Sequence, residues 1–470
     1  MTQNPEDNSM QSAAHDLSKL WKDHRLSAEA LSQIELTGAD PVFPSSFAVG
    51  TAAQVSMASA AGMAALIGTL RELPKQSVSI DMLESAIECT GHFTLDGKAT
   101  PKFAELSGLY LCSDGWLRIH ANFEHHRDAA LTVLGLTPGP DTSRSDVEQQ
   151  ALNWNRQSLE DAILDNNGAC AAVRTFTEWD ELPQAQAVAK LPLVEITKTG
   201  DAKPKTLLSL SKEQQPLTDV RVLDLTRILA GPVCGRTLAA YGADVMLVNS
   251  PELPNIDSII ETSRGKRSTH LNLHNATDKE KLHQLIAGAH VFVQGYRPGS
   301  LAALGLTPDA LAEKYPGIVY TSLSAYGRTG PWSERRGYDS LMQSASGINM
   351  AEAQAKGTSK PTALPMQILD YASGFLMAFG TQVALHRQLT EGGSWHVQVS
   401  LARTGHWLRS LTQNKGMLSC SQPDPQQYLQ KYESTYGELL ALPHPPRFSH
   451  TPVSLLRPSA PPGTHPPVWN

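Results

Sequence analysis

The stretch Pro361–Leu411, PTALPMQILDYASGFLMAFGTQVALHRQLTEGGSWHVQVSLARTGHWLRSL, decides how the rest of the chain is read. Pro361 and Pro365 hold its entry extended, because a proline disfavours helix at the residue before it. Asp370 then stands directly before a helical run. In that run Phe375, Phe379 and Val383 share one face, beside the small Gly374, Ala378 and Gly380. Glu391-Gly392-Gly393 stops the helix, and His396–Ser400 alternates as a strand does. An aspartate at such a junction has two readings. It caps the helix by accepting backbone N–H bonds, or it is a nucleophile kept ionised by the positive helix end.

Working outward, strands are expected at 220–225, 244–249, 290–294, 317–323 and 396–401. Helical patterns lie between them, at 234–241, 277–287 and 308–315. Strand and helix in alternation predict right-handed βαβ units and a parallel sheet. No G-x-G-x-x-G occurs, which argues against a nicotinamide-dinucleotide enzyme.

Several motifs in this half keep a fixed order. They are Val222-Leu-Asp-Leu-Thr-Arg-Ile-Leu-Ala-Gly-Pro232, Tyr241-Gly-Ala-Asp-Val245, Arg264-Gly-Lys-Arg-Ser268 with Leu271-Asn-Leu273, and Tyr296-Arg-Pro-Gly299. Leu323-Ser-Ala-Tyr-Gly327 with Gly330-Pro331, Gly337-Tyr-Asp339 and Leu369-Asp-Tyr-Ala-Ser-Gly374 follow. From about 217 to 410 this series resembles the family III CoA-transferases, the CaiB/BaiF group. The resemblance implies an α/β fold: a Rossmann-like parallel sheet with flanking helices, plus a smaller α+β domain. It implies an enzyme moving CoA between an acyl-CoA thioester and a small carboxylic acid, through an aspartyl mixed anhydride and an aspartyl-CoA thioester.

In that reading Asp370 is the nucleophile, and Arg336, Tyr338 and Asp339 stand near the thioester and acyl unit. CoA carries several phosphate charges, so it needs cations. Arg264, Lys266 and Arg267 are the first candidates, with Arg227 after the first strand and Arg297 after the third. CoA is then a substrate, and no cofactor is held permanently. Where the racemase branch of the family has Gly-His-Asp, this chain has Gly337-Tyr338-Asp339. A tyrosine with an ordinary pKa near 10 is a poor partner for proton exchange. Two other readings stay open: an acyl-CoA racemase or epimerase, and a non-catalytic acyl-CoA binder. In the formyl-CoA transferase branch a glycine-rich loop closes over the acyl group, and no such run occurs between 105 and 200.

The chain divides into a disordered leader at 1–14, a helical and strand piece at 15–104, and a small α+β domain at 105–200. A linker at 201–216, the catalytic domain at 217–415 and a closing tail at 416–470 follow. A helix is expected over 15–35. The piece at 15–104 reads as a degenerate repeat of the opening stretch, shifted by 319 positions: Leu70 meets Leu389, Val78 meets Val397, and Thr51 meets Asp370. A threonine supplies no carboxylate, so this copy is expected to be silent. In the small domain, Gly108–His120 carries a hairpin signal at Ser113-Asp114-Gly115. His120, His125, His126 and Asp128 fit no standard zinc spacing and read as solvated, so no metal is expected. Gly62–Leu66 reads as core or as an interface.

With 470 residues, 41% of them hydrophobic and 18% charged, the chain can bury a large core. A net charge of −7 gives no reason to invoke nucleic acid. Five scattered cysteines without a C-x-x-C suit reduced thiols, and with a polar start they point to the cytoplasm. No run of some 18 apolar residues is present, so no membrane span is expected. The family resemblance implies a homodimer, with interlocked chains as the family's arrangement.

Overall fold

The computed structural model describes residues 5–411, 413 and 415–469. In chain order it opens with α1 (Pro5–Asp23). The expected leader is thus largely helical; its residues 1–4 lie outside the described residues. The reason is the apolar face carried by Leu17, Leu20 and Trp21, which is buried in the core and anchors the turns before it. The single helix expected over 15–35 instead breaks after Asp23, resumes for one turn at Ala28–Leu31 and gives way to β1 (Ile34–Thr37). Then come α2 (Val49–Leu70), β2 (Val78–Asp81) and α3 (Met82–Glu88). Next come the hairpin β3 (Gly108–Cys112) and β4 (Gly115–Ile119), then α4 (Glu124–Val133) and β5 (Cys170–Ala172). β6 (Glu195–Gly200) leads into the linker.

The second half runs β7 (Arg221–Leu225), α5 (Ala230–Ala240), β8 (Asp244–Asn249), β9 (Arg267–His270), β10 (Val291–Gln294) and β11 (Val319–Ser324). It closes with α6 (Asp339–Ala345), α7 (Ile368–Glu391), β12 (Ser394–Ser400) and α8 (Leu401–Ser410). Helices Ala276–Ala287 and Pro308–Lys314 cross over between strands. The seven-stranded sheet has the order β9-β8-β7-β10-β11-β12-β6. Every pairing is parallel except the last, β12 with β6. Such strands are covered on both faces, which is why Val222, Leu223, Val291, Phe292 and Val293 are all fully buried.

The chain winds from β7 outward to β9, then returns to β10 on the other side of β7. A crevice opens at such a reversal, outside the carboxyl ends of the strands. The turn from β7 into α5 carries a further mark. Ile228 holds φ at +77°, a left-handed conformation that a β-branched residue rarely adopts.

α7 is the central helix, and Phe375, Phe379 and Val383 are fully buried. A Cβ at Gly374 would lie 2.5 Å from the Ala230 carbonyl, so the missing side chain lets α5 approach. Gly392 and Gly393, at φ +75° and +89°, turn the chain from α7 into β12. Along its other flank α7 meets the alanine-rich α2, where Gln382 Nε2 donates to the Ala60 carbonyl at 3.0 Å. α2 and α7 are long and apolar enough to cross a membrane by composition, but both are interior helices here.

The pairs α2–β2 and α7–β12 each run from helix to strand. α2 and α7 start 319 residues apart, as do α3 and α8. β2 lies parallel to β1, as β12 does to β11. The likeness reaches single atoms. Asp339 accepts backbone N–H bonds from Leu369 and Asp370 at the start of α7. Asp40 accepts them from Gly50 and Thr51 at the start of α2. In the tail, Leu439–Ala441 pairs antiparallel with Phe93–Leu95, joining the end of the chain to its first part.

Candidate active site

Asp370 is the third residue of α7, in the helix's first turn. It does not cap the helix. That task belongs to Asp339, whose Oδ2 accepts the Asp370 N–H at 2.9 Å. Gln343 Nε2 donates to Asp339 Oδ1 at 2.5 Å. The Gln343 amide is fixed in turn: its Oε1 accepts from Asn349 Nδ2 at 3.1 Å and from the Leu364 N–H at 3.0 Å. One carboxylate is therefore locked behind the helix end, and the side chain of Asp370 is left to face the cavities.

Two carboxyls this close, both buried, oppose each other's ionisation. Burial and then the Asp339 charge raise the pKa of Asp370 well above the carboxylate range. Burial pushes Asp339 up to about 6, against the lowering effect of its hydrogen bonds. Burial and the like charge of Asp339 thus work against the helix end, which was expected to help keep Asp370 ionised.

Asp370 lies between two cavities. The larger, about 300 Å³, opens at the carboxyl ends of β7, β10 and β11. Arg227, Arg297, Arg335 and Arg336 line it, and Asp370 is its one lining carboxylate among the described residues. It adjoins a further cavity of about 210 Å³ through Tyr296, Arg297 and Pro298. The start of α5, where no side chain caps the free N–H groups, forms part of the wall. On its other side Asp370 borders a cavity of about 70 Å³ lined by Phe93, Lys102, Phe103, Ile228 and Tyr371.

Of the residues singled out from sequence, Asp370, Tyr338, Arg227, Arg297 and Arg336 meet at the larger cavity. Asp339 sits directly behind it, fully buried. Arg264, Lys266 and Arg267 do not reach it. Lys266 is buried with Asp224, Nζ to Oδ2 at 2.9 Å. Arg264 pairs with Glu261 and donates to the Leu442 carbonyl. Arg267 pairs with Asp244. Each sits on or beside the edge strand β9 but is almost fully buried, where a charge must be paired. Strands β7 and β8 supply Asp224 and Asp244, and the helix Ser258–Thr262 supplies Glu261. These three hold the fold and offer nothing to a phosphate.

Sequence reasoning missed Arg335 and misplaced two histidines. His120 and His126 are not solvated: they are 4% and 2% exposed. The His120 ring stacks on Tyr338, centroids 3.8 Å apart and nearly parallel. His126 lines the larger cavity. Asp128 pairs instead with Arg127. Among the described residues no group of three His, Cys, Asp or Glu is placed to hold a metal ion.

The chain resembles a set of curated proteins. An acyl-CoA transferase of Gibberella moniliformis is 27% identical over 319 residues, 64% of this chain and 56% of that protein. The probable fatty acyl-CoA transferase Rv3272 of Mycobacterium tuberculosis is 30% identical over 232 residues, 46% of this chain and 58% of that protein. Human succinyl-CoA:glutarate CoA-transferase is 33% identical over 183 residues, 36% of this chain and 41% of that protein. A crystal structure of Rv3272 overlaps 42% of this chain and 56% of its own at 32% identity, with a TM-score of 0.40. The chain thus spans about half the length of the curated relatives it matches. The model of the CoA-transferase family III matches residues 28–206 and 217–437, most of the chain and both of its halves. By that match the chain belongs to the family III CoA-transferases.

Proposed function

We propose that this protein moves CoA between an acyl-CoA thioester and a free carboxylic acid, with Asp370 as the covalent carrier. The observation that supports this best is the pairing of groups at the larger cavity. Four arginines converge there, of which Arg335 also reaches Asp161 at 3.9 Å, opposite one buried carboxyl on a helix start. The arginines suit the phosphates of CoA.

In the reaction Asp370 attacks the thioester carbonyl, and the C–S bond breaks with its electron pair leaving as CoA thiolate. The thiolate attacks the aspartyl carbon of the mixed anhydride, giving an Asp370–CoA thioester and the first acid. The acceptor carboxylate attacks that thioester and expels the thiolate again. The thiolate then takes the new acyl group and frees Asp370. Each hard transfer is split into easier ones. Asp370 must be ionised to attack, so its raised pKa sets an acid limit on the reaction. The cavity of about 70 Å³ beside Asp370 suits a short acyl unit.

The segment 15–104 is read as a degenerate copy of the catalytic segment. The 319-residue spacing and the matched Asp40 and Asp339 contacts support that reading. Thr51, at the place of Asp370, donates its hydroxyl to Asp40 at 2.8 Å and offers no carboxylate. The test is a transfer assay. The protein is mixed with a panel of short acyl-CoA esters and isotopically labelled free acids, and the new thioesters are read by mass spectrometry. Labelled acyl-CoA should form, and should vanish in Asp370→Ala. Exchange of the α-proton with solvent deuterium and no transfer would replace this reading with a racemase.

A further inference from the structure

We propose, resting on the CoA-transfer reading, that His126 at the start of α4 is a catalytic residue that donates a hydrogen bond to the thioester carbonyl oxygen as Asp370 attacks. The tetrahedral oxyanion needs such donors, and a lost donor costs an enzyme heavily. This chain has no glycine-rich run between 105 and 200 to provide them from a closing loop. What the small domain does bring to the cavity is the first turn of α4, carrying Phe123, His125 and His126.

His126 stands out among the lining residues. It is 2% exposed, yet neither Nδ1 nor Nε2 has a hydrogen-bond partner. A buried imidazole left without any partner is costly, so the site is built for a group that arrives with the substrate. The surrounding rings hold it in place. His126 packs edge-on against Tyr338 at 5.9 Å and His120 at 6.0 Å, and Tyr338 itself stacks on His120. α4 is ten residues long and its N-cap residue, Phe123, offers no side-chain cap. The positive end of the helix therefore adds to the field at the same place.

Burial above all, with His125, His120, Arg336 and Arg227 nearby, pushes His126 down to about 3. At neutral pH it is an uncharged imidazole with one ring N–H to give. As Asp370 forms its C–O bond, the carbonyl π pair moves onto oxygen, which accepts that N–H. On collapse the C=O re-forms and the C–S pair leaves on sulfur. His126 keeps its proton throughout.

The test compares His126→Ala, His126→Gln and wild type in single-turnover acylation of Asp370, trapped with hydroxylamine. His126→Ala is expected to lower the acylation rate by about 10²–10³-fold, with the KM for acyl-CoA little changed. His126→Gln, which keeps an N–H donor, is expected to recover part of the rate. Acylation at the wild-type rate in His126→Ala overturns the proposal. Equal losses in both variants, matched by a rise in KM, overturn it as well, because they mark a packing role. If the alanine variant fails to fold, the ring nitrogen shifts of His126 decide. They should move on adding a non-hydrolysable CoA thioether ketone, and unchanged shifts refute the contact. A wild-type protein that never acylates Asp370 instead removes the CoA-transfer reading itself.

Discussion

Replacing Asp370 with asparagine should stabilise the protein at neutral pH while abolishing transfer. Asp339 and Asp370 are 0% and 6% exposed and lie against one another at the start of α7. Burial lifts Asp339 from 3.8 to about 6, an ionisation penalty on the order of 3 kcal/mol at neutral pH. Asp370 is raised further, by burial and by the Asp339 charge. The sign follows from linkage. Both folded-state values exceed the unfolded ones, so the folded protein binds more protons between them. Stability is fully present below the unfolded value near 4 and is lost as pH rises through about 6 and beyond. Asp370→Asn removes one buried charge and the repulsion on the other. It should gain about 1–3 kcal/mol at about pH 8 and almost nothing at about pH 5. Urea unfolding followed by circular dichroism at both pH values measures this. A variant no more stable than wild type at the higher pH would refute the reasoning. So would a gain of equal size at both, since a packing effect does not titrate.

Other outcomes follow from the same geometry. Asp339→Asn removes the like charge beside Asp370, so the acid limb of the rate–pH profile should move to lower pH; a limb that stays put or moves upward contradicts the coupling. Arg297→Ala and Arg336→Ala should each raise the KM for acyl-CoA by about 10-fold with kcat nearly unchanged, read from steady-state kinetics. Lys266→Ala should leave Asp224 as an unpaired buried charge and cost about 3–5 kcal/mol, measured by denaturant unfolding, without a specific effect on KM. Gly374→Ala puts a methyl 2.5 Å from the Ala230 carbonyl and should destabilise by about 1–3 kcal/mol in the same assay.

Five of the sheet's seven strands were legible in sequence because they are buried on both faces; the edge strands β9 and β6 were not. Val291–Gln294 and Asp244–Asn249 stand out as apolar runs between helices, and they fall within a residue of where they were expected. The helix at Asp370 was legible for the same reason. Its glycines fall where α5 and β12 press close. The roles of single charges were harder to see. Arg264, Lys266 and Arg267 look like a phosphate cluster along the chain. Asp224 and Asp244, the partners of Lys266 and Arg267, show themselves only once strands β7, β8 and β9 lie side by side, while Glu261 pairs with Arg264 from three residues away. Asp339 and Asp370 are 31 residues apart, and nothing in their spacing says that one caps the helix bearing the other. The histidines of the small domain were read as solvated because adjacent polar residues usually are. Their burial comes with packing against Tyr338, a contact between residues more than 200 positions apart in the chain.

The measurement that tests the central claim most directly is chemical trapping of Asp370. The protein is incubated with acyl-CoA esters, quenched with hydroxylamine and digested, and the peptide holding Asp370 is read by mass spectrometry. The account predicts a hydroxamate on Asp370, formed only with an accepted acyl-CoA and absent from Asp370→Ala. An unmodified Asp370 across a broad panel of esters that the protein demonstrably binds would contradict it.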